Sequence, residues 1–225
     1  QDHYDYTLRS FVIPISRAAG AMKRIEPDTA EEVIMYRTMK DLIMPKLIYI
    51  DLPLFMALLS DLFPGVELPS EGLTKLREAL QTELTEFNLQ PVPAYITKIV
   101  QVFDCKVARH GNMIVGKTGA GKSEAWKCLV RAMARLKKED LENMEKVHVY
   151  TINPLALSND EIYGSFDEAT QGYMDGVLAR IMRDVCKDEK SDQKWILFDG
   201  PVDTLWIESM NTTLDDNKLL TLLSG

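Results

Sequence analysis

The stretch GKTGAGKS, Gly116 to Ser123, constrains this 225-residue chain more than any other. It matches G-x-x-x-x-G-K-[ST] in full, the pattern of a loop that cradles phosphates. The apolar run NMIV (112–115) stands directly before it and reads as a short buried strand. An amphipathic helix through Leu136 follows directly. Glycines let such a loop curl until successive backbone N–H groups point inward at phosphate oxygens. The start of the next helix adds the positive end of its dipole. Gly116, Lys117, Thr118, Gly119, Ala120 and Gly121 would supply the cradle, and Lys122 would reach the β- and γ-phosphates. The Ser123 hydroxyl would take Mg²⁺. The expected ligand is therefore ATP or ADP with Mg²⁺.

A strand, a loop and a helix in that order need further strands beside them. VHVYTI (147–152) reads as a second strand, followed by a helix over 172–187, and WILF (195–198) reads as a third. A last amphipathic helix over 203–214 carries Leu205, Trp206, Met210 and Leu214. Strands alternating with helices imply right-handed crossovers and a parallel sheet covered on both faces. The first part of the chain reads differently, as helix after helix. EPDTAEEVIMYRTMKDLI offers Asp28 as an N-cap with Glu31 three residues on. DLPLFMALLSDLFPG runs from Asp51 to a stop at Pro64 and Gly65. SEGLTKLREALQTEL puts Leu73, Leu76, Leu80 and Leu84 on one face, and PAYITKIVQVFDCKV does so with Ile96, Ile99, Val100, Phe103 and Val107. Residues 1–88 are thus expected to form a helical subdomain and connector, and residues 89–225 an α/β nucleotide-binding subdomain of the P-loop class.

Charge narrows the partners. Twenty-six Lys and Arg against 34 Asp and Glu leave a net charge of −8, which argues against nucleic acid. The most apolar region, 42–59, is broken by Pro45, Lys46, Asp51 and Pro53 and cannot span a bilayer. Cys105, Cys128 and Cys186 fit no metal-ligand spacing and read as reduced, buried thiols. The chain opens on QDHYDYTLRS without a signal peptide and stops at LLTLLSG as a new apolar run begins. It reads as a piece of something longer.

WILF delivers Asp199 to the end of its strand, where a carboxylate would hold the magnesium opposite Ser123. Gly200 comes next, at the position where a hydrolytic enzyme of this class carries the glutamate that orients water. Loss of such a group costs about 10² to 10⁴ in rate. Binding without efficient turnover is the expectation, so no catalytic residue is assigned. The alternative is an active ATPase in which Asp203 or Glu208 serves instead. A P-loop kinase would need a second-substrate site, and no such cluster stands out.

DGPVDTLWIESMNTTLDDNKLLTL, NPLALSNDEIYGSFDEATQGYMDGVL and the phosphate loop together resemble the second AAA+ module of a dynein heavy chain. MPKLIYIDLPLFMALLSDLFPGVE is similar to the connection between the first and second modules, and YDYTLRS resembles the Y-D-F-G-L-R segment of the first. The likeness covers nearly the whole chain, and GPVD is more similar to axonemal than to cytoplasmic members.

The resemblance implies a fold and a role. The fold is a truncated AAA+ large subdomain preceded by an all-helical one. The role is a structural or regulatory Mg-ATP or ADP site in a microtubule motor of the cytoskeleton, in cytoplasm or ciliary axoneme. Implied partners are the neighbouring AAA+ modules and linker of the same heavy chain, intermediate and light chains, and microtubules. Adenine is covered in the family by the segment leading into the α/β core, which corresponds by position to Leu89, Pro91 and Val92. Arg9 corresponds to a sensor arginine facing the preceding module's nucleotide. The NPLALSNDEIYGSFD region resembles the insert that touches the mechanical linker and reads as an exposed loop and short helix. The trans arginine for this site would come from a third module.

Overall fold

A computed structural model describes residues 4–66, 74–139, 144–167, 169–170, 172–214 and 219–222. The chain falls into two compact units, Gln1–Ala132 and Met133–Gly225.

The first unit is helical. Helices α1 (Ile13–Ile25), α2 (Glu31–Ile43), α3 (Leu52–Leu62), α4 (Thr74–Glu86) and α5 (Pro93–Ala108) precede α6 (Lys122–Lys138), which runs on into the second unit. The leucine spacing explains α4: Leu76, Leu80 and Leu84 are at most 1% exposed, and so is Ile99 of α5. A second cluster gathers Ile15, Leu42, Ile43 and Leu47. Helix α3 follows Asp51, whose carboxylate accepts from the Tyr4 hydroxyl at 2.8 Å and does not cap the helix. Helix α2 likewise starts after Ala30 without a side-chain cap, so Asp28 is not the N-cap its position suggests. Leu73, the first leucine assigned to the α4 face, lies outside the described residues.

The second unit holds the sheet. Strands β1 (Val147–Ile152) and β4 (Gln193–Phe198) pair in parallel, Val147 opposite Gln193 through Ile152 opposite Phe198. Between them come α7 (Asn159–Tyr163), an antiparallel pair β2 (Gly164–Phe166) and β3 (Tyr173–Asp175), and α8 (Val177–Lys187). A parallel pair requires a crossover, and the α7–α8 segment supplies it. After β4, α9 (Thr204–Ile207) passes through a 3₁₀ turn (Glu208–Met210) into α10 (Asn211–Leu214). The core of this unit joins Ile152, Ile162, Tyr163, Leu178, Trp206 and Met210, with Ile196 and Phe198 against it. Trp206 stacks on Phe198 with ring centroids 4.9 Å apart.

Several expectations need correction. NMIV forms no strand, and Met113 and Val115 are 59% and 87% exposed. A parallel strand exists only through its ladder, and the described sheets hold no partner for this run; the side-chain amide of Asn112 donates to the Arg109 carbonyl, just after α5, at 2.9 Å. The helix expected over 172–187 begins only at Val177, because 173–175 pair with 164–166. The 153–167 region holds the expected short helix, but it is not all exposed. A capping box at Ser158 and Glu161 starts α7, whose Ile162 and Tyr163 are buried, and a strand follows. The cysteines are free, as expected, but only Cys128 is buried, and Cys186 is exposed. Burial pushes the Cys128 thiol up to about 11. No described helix is long and apolar enough to cross a membrane.

Candidate nucleotide site

The phosphate loop lies in the first unit. Residues 116–120 are exposed, and Gly121, Lys122 and Ser123 are half-buried. Gly119 and Gly121 hold φ values of +79° and +81°. Side chains with a Cβ resist that left-handed region, so glycine suits 119, a variable position of the pattern, as well as 121, one of its two fixed glycines. Ala120 N–H closes a turn onto the Lys117 carbonyl at 3.2 Å. Helix α6 then starts at Lys122, with Gly121 accepting from Ala125 N–H at 2.9 Å. Lys122 folds over the loop, its ammonium donating to the Gly116 and Lys117 carbonyls, both at 2.9 Å. Those two bonds are the kind that an oxyanion replaces, since a phosphate outcompetes neutral carbonyls for an ammonium.

Helix α6 is anchored from below. Cys128 lies 3.8 Å from the Leu80 carbonyl of α4. The Arg131 guanidinium sits over the Phe87 ring at 3.7 Å, 3.5 Å from the buried Glu83 carboxylate and 4.0 Å from Glu124. From the side, α5 approaches the loop itself. The Tyr95 hydroxyl donates to the Gly121 carbonyl at 2.7 Å.

Leu89, Pro91 and Val92 form the connector between α4 and α5. Asn88 turns it with φ +58°, and Leu89 N–H bonds the Leu84 carbonyl at 2.8 Å. Leu89 and Pro91 are half-buried, and Val92, the N-cap of α5, is 46% exposed. The connector thus enters the helical turn whose Tyr95 touches Gly121.

The strand end belongs to the second unit. Asp199 is exposed at the C-terminal end of β4, its N–H bonded to the Ile152 carbonyl at 2.9 Å. A hydroxyl and a carboxylate are the hard oxygen ligands that Mg²⁺ takes, so Ser123 and Asp199 fit the ion chemically. Gly200 faces Pro154, and a Cβ placed there would lie 3.1 Å from two atoms of that ring. The ring has little room to give. Pro154 is buried and opens a 3₁₀ turn that the Asn153 side chain caps through Leu155 N–H at 3.1 Å. Trp206 pins the next residue, its indole N–H donating to the Pro201 carbonyl at 3.3 Å. Asp203 is half-buried within 3.3 Å of the Thr204 hydroxyl, and Glu208 is exposed on the 3₁₀ turn.

Two contacts escape a reading of the residues alone, Tyr95 on Gly121 in the first unit and Pro154 beside Gly200 in the second. Tyr95 carried a signal, a hydroxyl in the first turn of α5 off the apolar stripe. Pro154 carried none, because its contact depends on the β1–β4 register.

Two families described from other proteins match the chain. Residues 1–123 match the "hydrolytic ATP binding site of dynein motor region", and residues 111–225 match the "AAA domain (dynein-related subfamily)". The Chlamydomonas reinhardtii "Dynein-1-beta heavy chain, flagellar inner arm I1 complex" is 75% identical over all of this chain, which covers 5% of that protein. Human "Dynein axonemal heavy chain 2" and "Dynein axonemal heavy chain 3" are 45% and 42% identical, again over the whole chain and 5% of theirs.

Proposed function

The chain belongs to the dynein heavy chain family, and from that premise we propose that its phosphate loop holds Mg-ATP or ADP without efficient turnover. The observation carrying the reading is a complete, correctly curled phosphate loop in a chain whose other motif, Asp199-Gly200, offers no glutamate. Lys122 would exchange its two loop carbonyls for β- and γ-phosphate oxygens. Ser123 and Asp199 would hold the magnesium, whose contribution is charge neutralisation between those phosphates. Leu89, Pro91 and Val92 would cover the adenine. Gly200 has no side chain to orient a water, and the Pro154 ring occupies the space beside it.

The wider setting is part of the same proposal. The relatives' names include axonemal and flagellar inner-arm heavy chains, so the motor containing this segment would work on microtubules in the axoneme. A site that keeps its nucleotide would act there as a fixed joint. It would hold the loop and its helix in one geometry while neighbouring AAA+ modules and the linker move. Intermediate and light chains would join through the full heavy chain. Residues 1–88 would be the helical subdomain and connector, and 89–225 the α/β nucleotide-binding part.

A second reading has one observation in its favour: the family matched over 1–123 is described as a hydrolytic site. Its match stops at Ser123, before Asp199 and Gly200. In that reading Asp203 or Glu208 would supply the missing base.

Titration with Mg-ATP and Mg-ADP tests binding. Charge-assisted hydrogen bonds are worth about 1.5–3 kcal/mol, so Lys122→Ala should weaken both nucleotides by about 10- to 100-fold. Equal affinity of the wild type and Lys122→Ala would overturn the assignment.

A further inference from the structure

We propose that Tyr95 is a positioning residue for the phosphate loop: its hydroxyl sets the plane of the Gly121–Lys122 peptide and thereby aims the Lys122 N–H at the bound phosphate. The inference rests on the nucleotide reading of the loop and names a residue, on a different helix, that this reading does not require.

The geometry is specific. Gly121 is the last residue before α6, and its carbonyl accepts twice, from Ala125 N–H at 2.9 Å and from the Tyr95 hydroxyl at 2.7 Å. A carbonyl has two lone pairs, so this one is saturated. Within one peptide unit the C=O and the following N–H point in opposite directions. Holding the Gly121 carbonyl from two sides therefore fixes the Lys122 N–H, one of the helix-start donors that no helical carbonyl can satisfy. The helical bond alone leaves the plane free to rock about one contact. The bond from α5 removes that freedom.

The ring does a second job. A Cβ on Gly121 would lie 3.0 Å from the Tyr95 hydroxyl oxygen and 3.1 Å from a ring carbon. Gly121 is thus required twice, by its φ of +81° and by the tyrosine lying against it. Burial, then the nearby Cys128 and Glu124, raise the Tyr95 pKa above its ordinary value, so the hydroxyl stays a donor at any working pH. Preorganised donors bind an anion more tightly because less freedom is lost when it arrives.

The test compares wild type, Tyr95→Phe and Lys122→Ala in the full-length heavy chain. Hydrogen–deuterium exchange of the 116–125 peptides is followed across a Mg-ATP titration, alongside thermal melting without nucleotide. Tyr95→Phe keeps the ring against Gly121 and removes only the donor. The expected result is an unchanged melting temperature with the protection midpoint moved to about threefold to tenfold higher Mg-ATP, the size of one neutral hydrogen bond. An unchanged midpoint would overturn the role of Tyr95 while leaving wild-type protection, and hence nucleotide binding, intact. A melting temperature that falls together with the midpoint would also overturn it, as general destabilisation. Wild-type peptides indifferent to Mg-ATP, like those of Lys122→Ala, would sink the nucleotide reading and this inference with it.

Discussion

The phosphate loop and the DGPVD strand end are built by different means. The loop takes most of its shape locally, from glycines at +79° and +81°, a turn closed by Ala120 and the first bond of α6, with one bond from Tyr95 of α5. The strand end takes its shape from distant partners. Asp199 is placed by Ile152 across the ladder, Gly200 is crowded by Pro154, and Pro201 is held by Trp206. Local construction leaves a pattern in the sequence, and long-range construction does not. The two are therefore specified independently.

Removing the strand end's anchor should separate the two most sharply. Trp206 is 7% exposed and stacked on Phe198, so Trp206→Ala should cost about 3–5 kcal/mol in chemical denaturation. If the comparison holds, the second unit loosens while exchange protection at residues 116–125 persists. Equal loss at both would break it.

Restoring the missing glutamate is a milder perturbation. Gly200→Glu must push the Pro154 ring by a few tenths of an ångström and should destabilise by about 1 kcal/mol. Phosphate release should not rise, because a side chain turned away from a buried proline is not held where it could orient an attacking water. Brisk hydrolysis by Gly200→Glu would show that the strand end is one residue from activity and that Pro154 excludes nothing.

A third effect concerns the helix whose Tyr95 contacts the loop. Burial, then the nearby Asp41 carboxylate, push Asp104 of α5 up to about 7. A carboxyl whose folded pKa is raised binds more protons folded than unfolded, so stability falls as pH rises between its unfolded value near 4 and its folded value near 7. Thermal melting should therefore drop from about pH 5 to about pH 8, and Asp104→Asn should flatten that dependence. A variant with the wild-type slope would remove Asp104 from the account.

Legibility followed the same division. The loop, β1, β4 and the leucine face of α4 were readable because short patterns with fixed periods set them. Asp199 was readable as the end of an apolar run. The NMIV run misled, since four apolar residues fit a strand but a strand needs a neighbour to bond. The 164–175 hairpin was hidden because its strands are three residues each and Gly164 takes φ +114°, with the Met174 carbonyl 2.5 Å from where a Cβ would be. Tyr95 and Pro154 act through contacts that only the folded chain brings together.

One measurement reaches the central claim directly: load the purified heavy chain with Mg-ATP and follow phosphate release from this site in single turnover, comparing wild type with Asp203→Asn and Glu208→Gln. The account predicts ATP retained intact, with release at the same negligible rate in all three proteins. Release in the wild type that Asp203→Asn or Glu208→Gln abolishes would contradict it and make this an active ATPase with a substitute carboxylate.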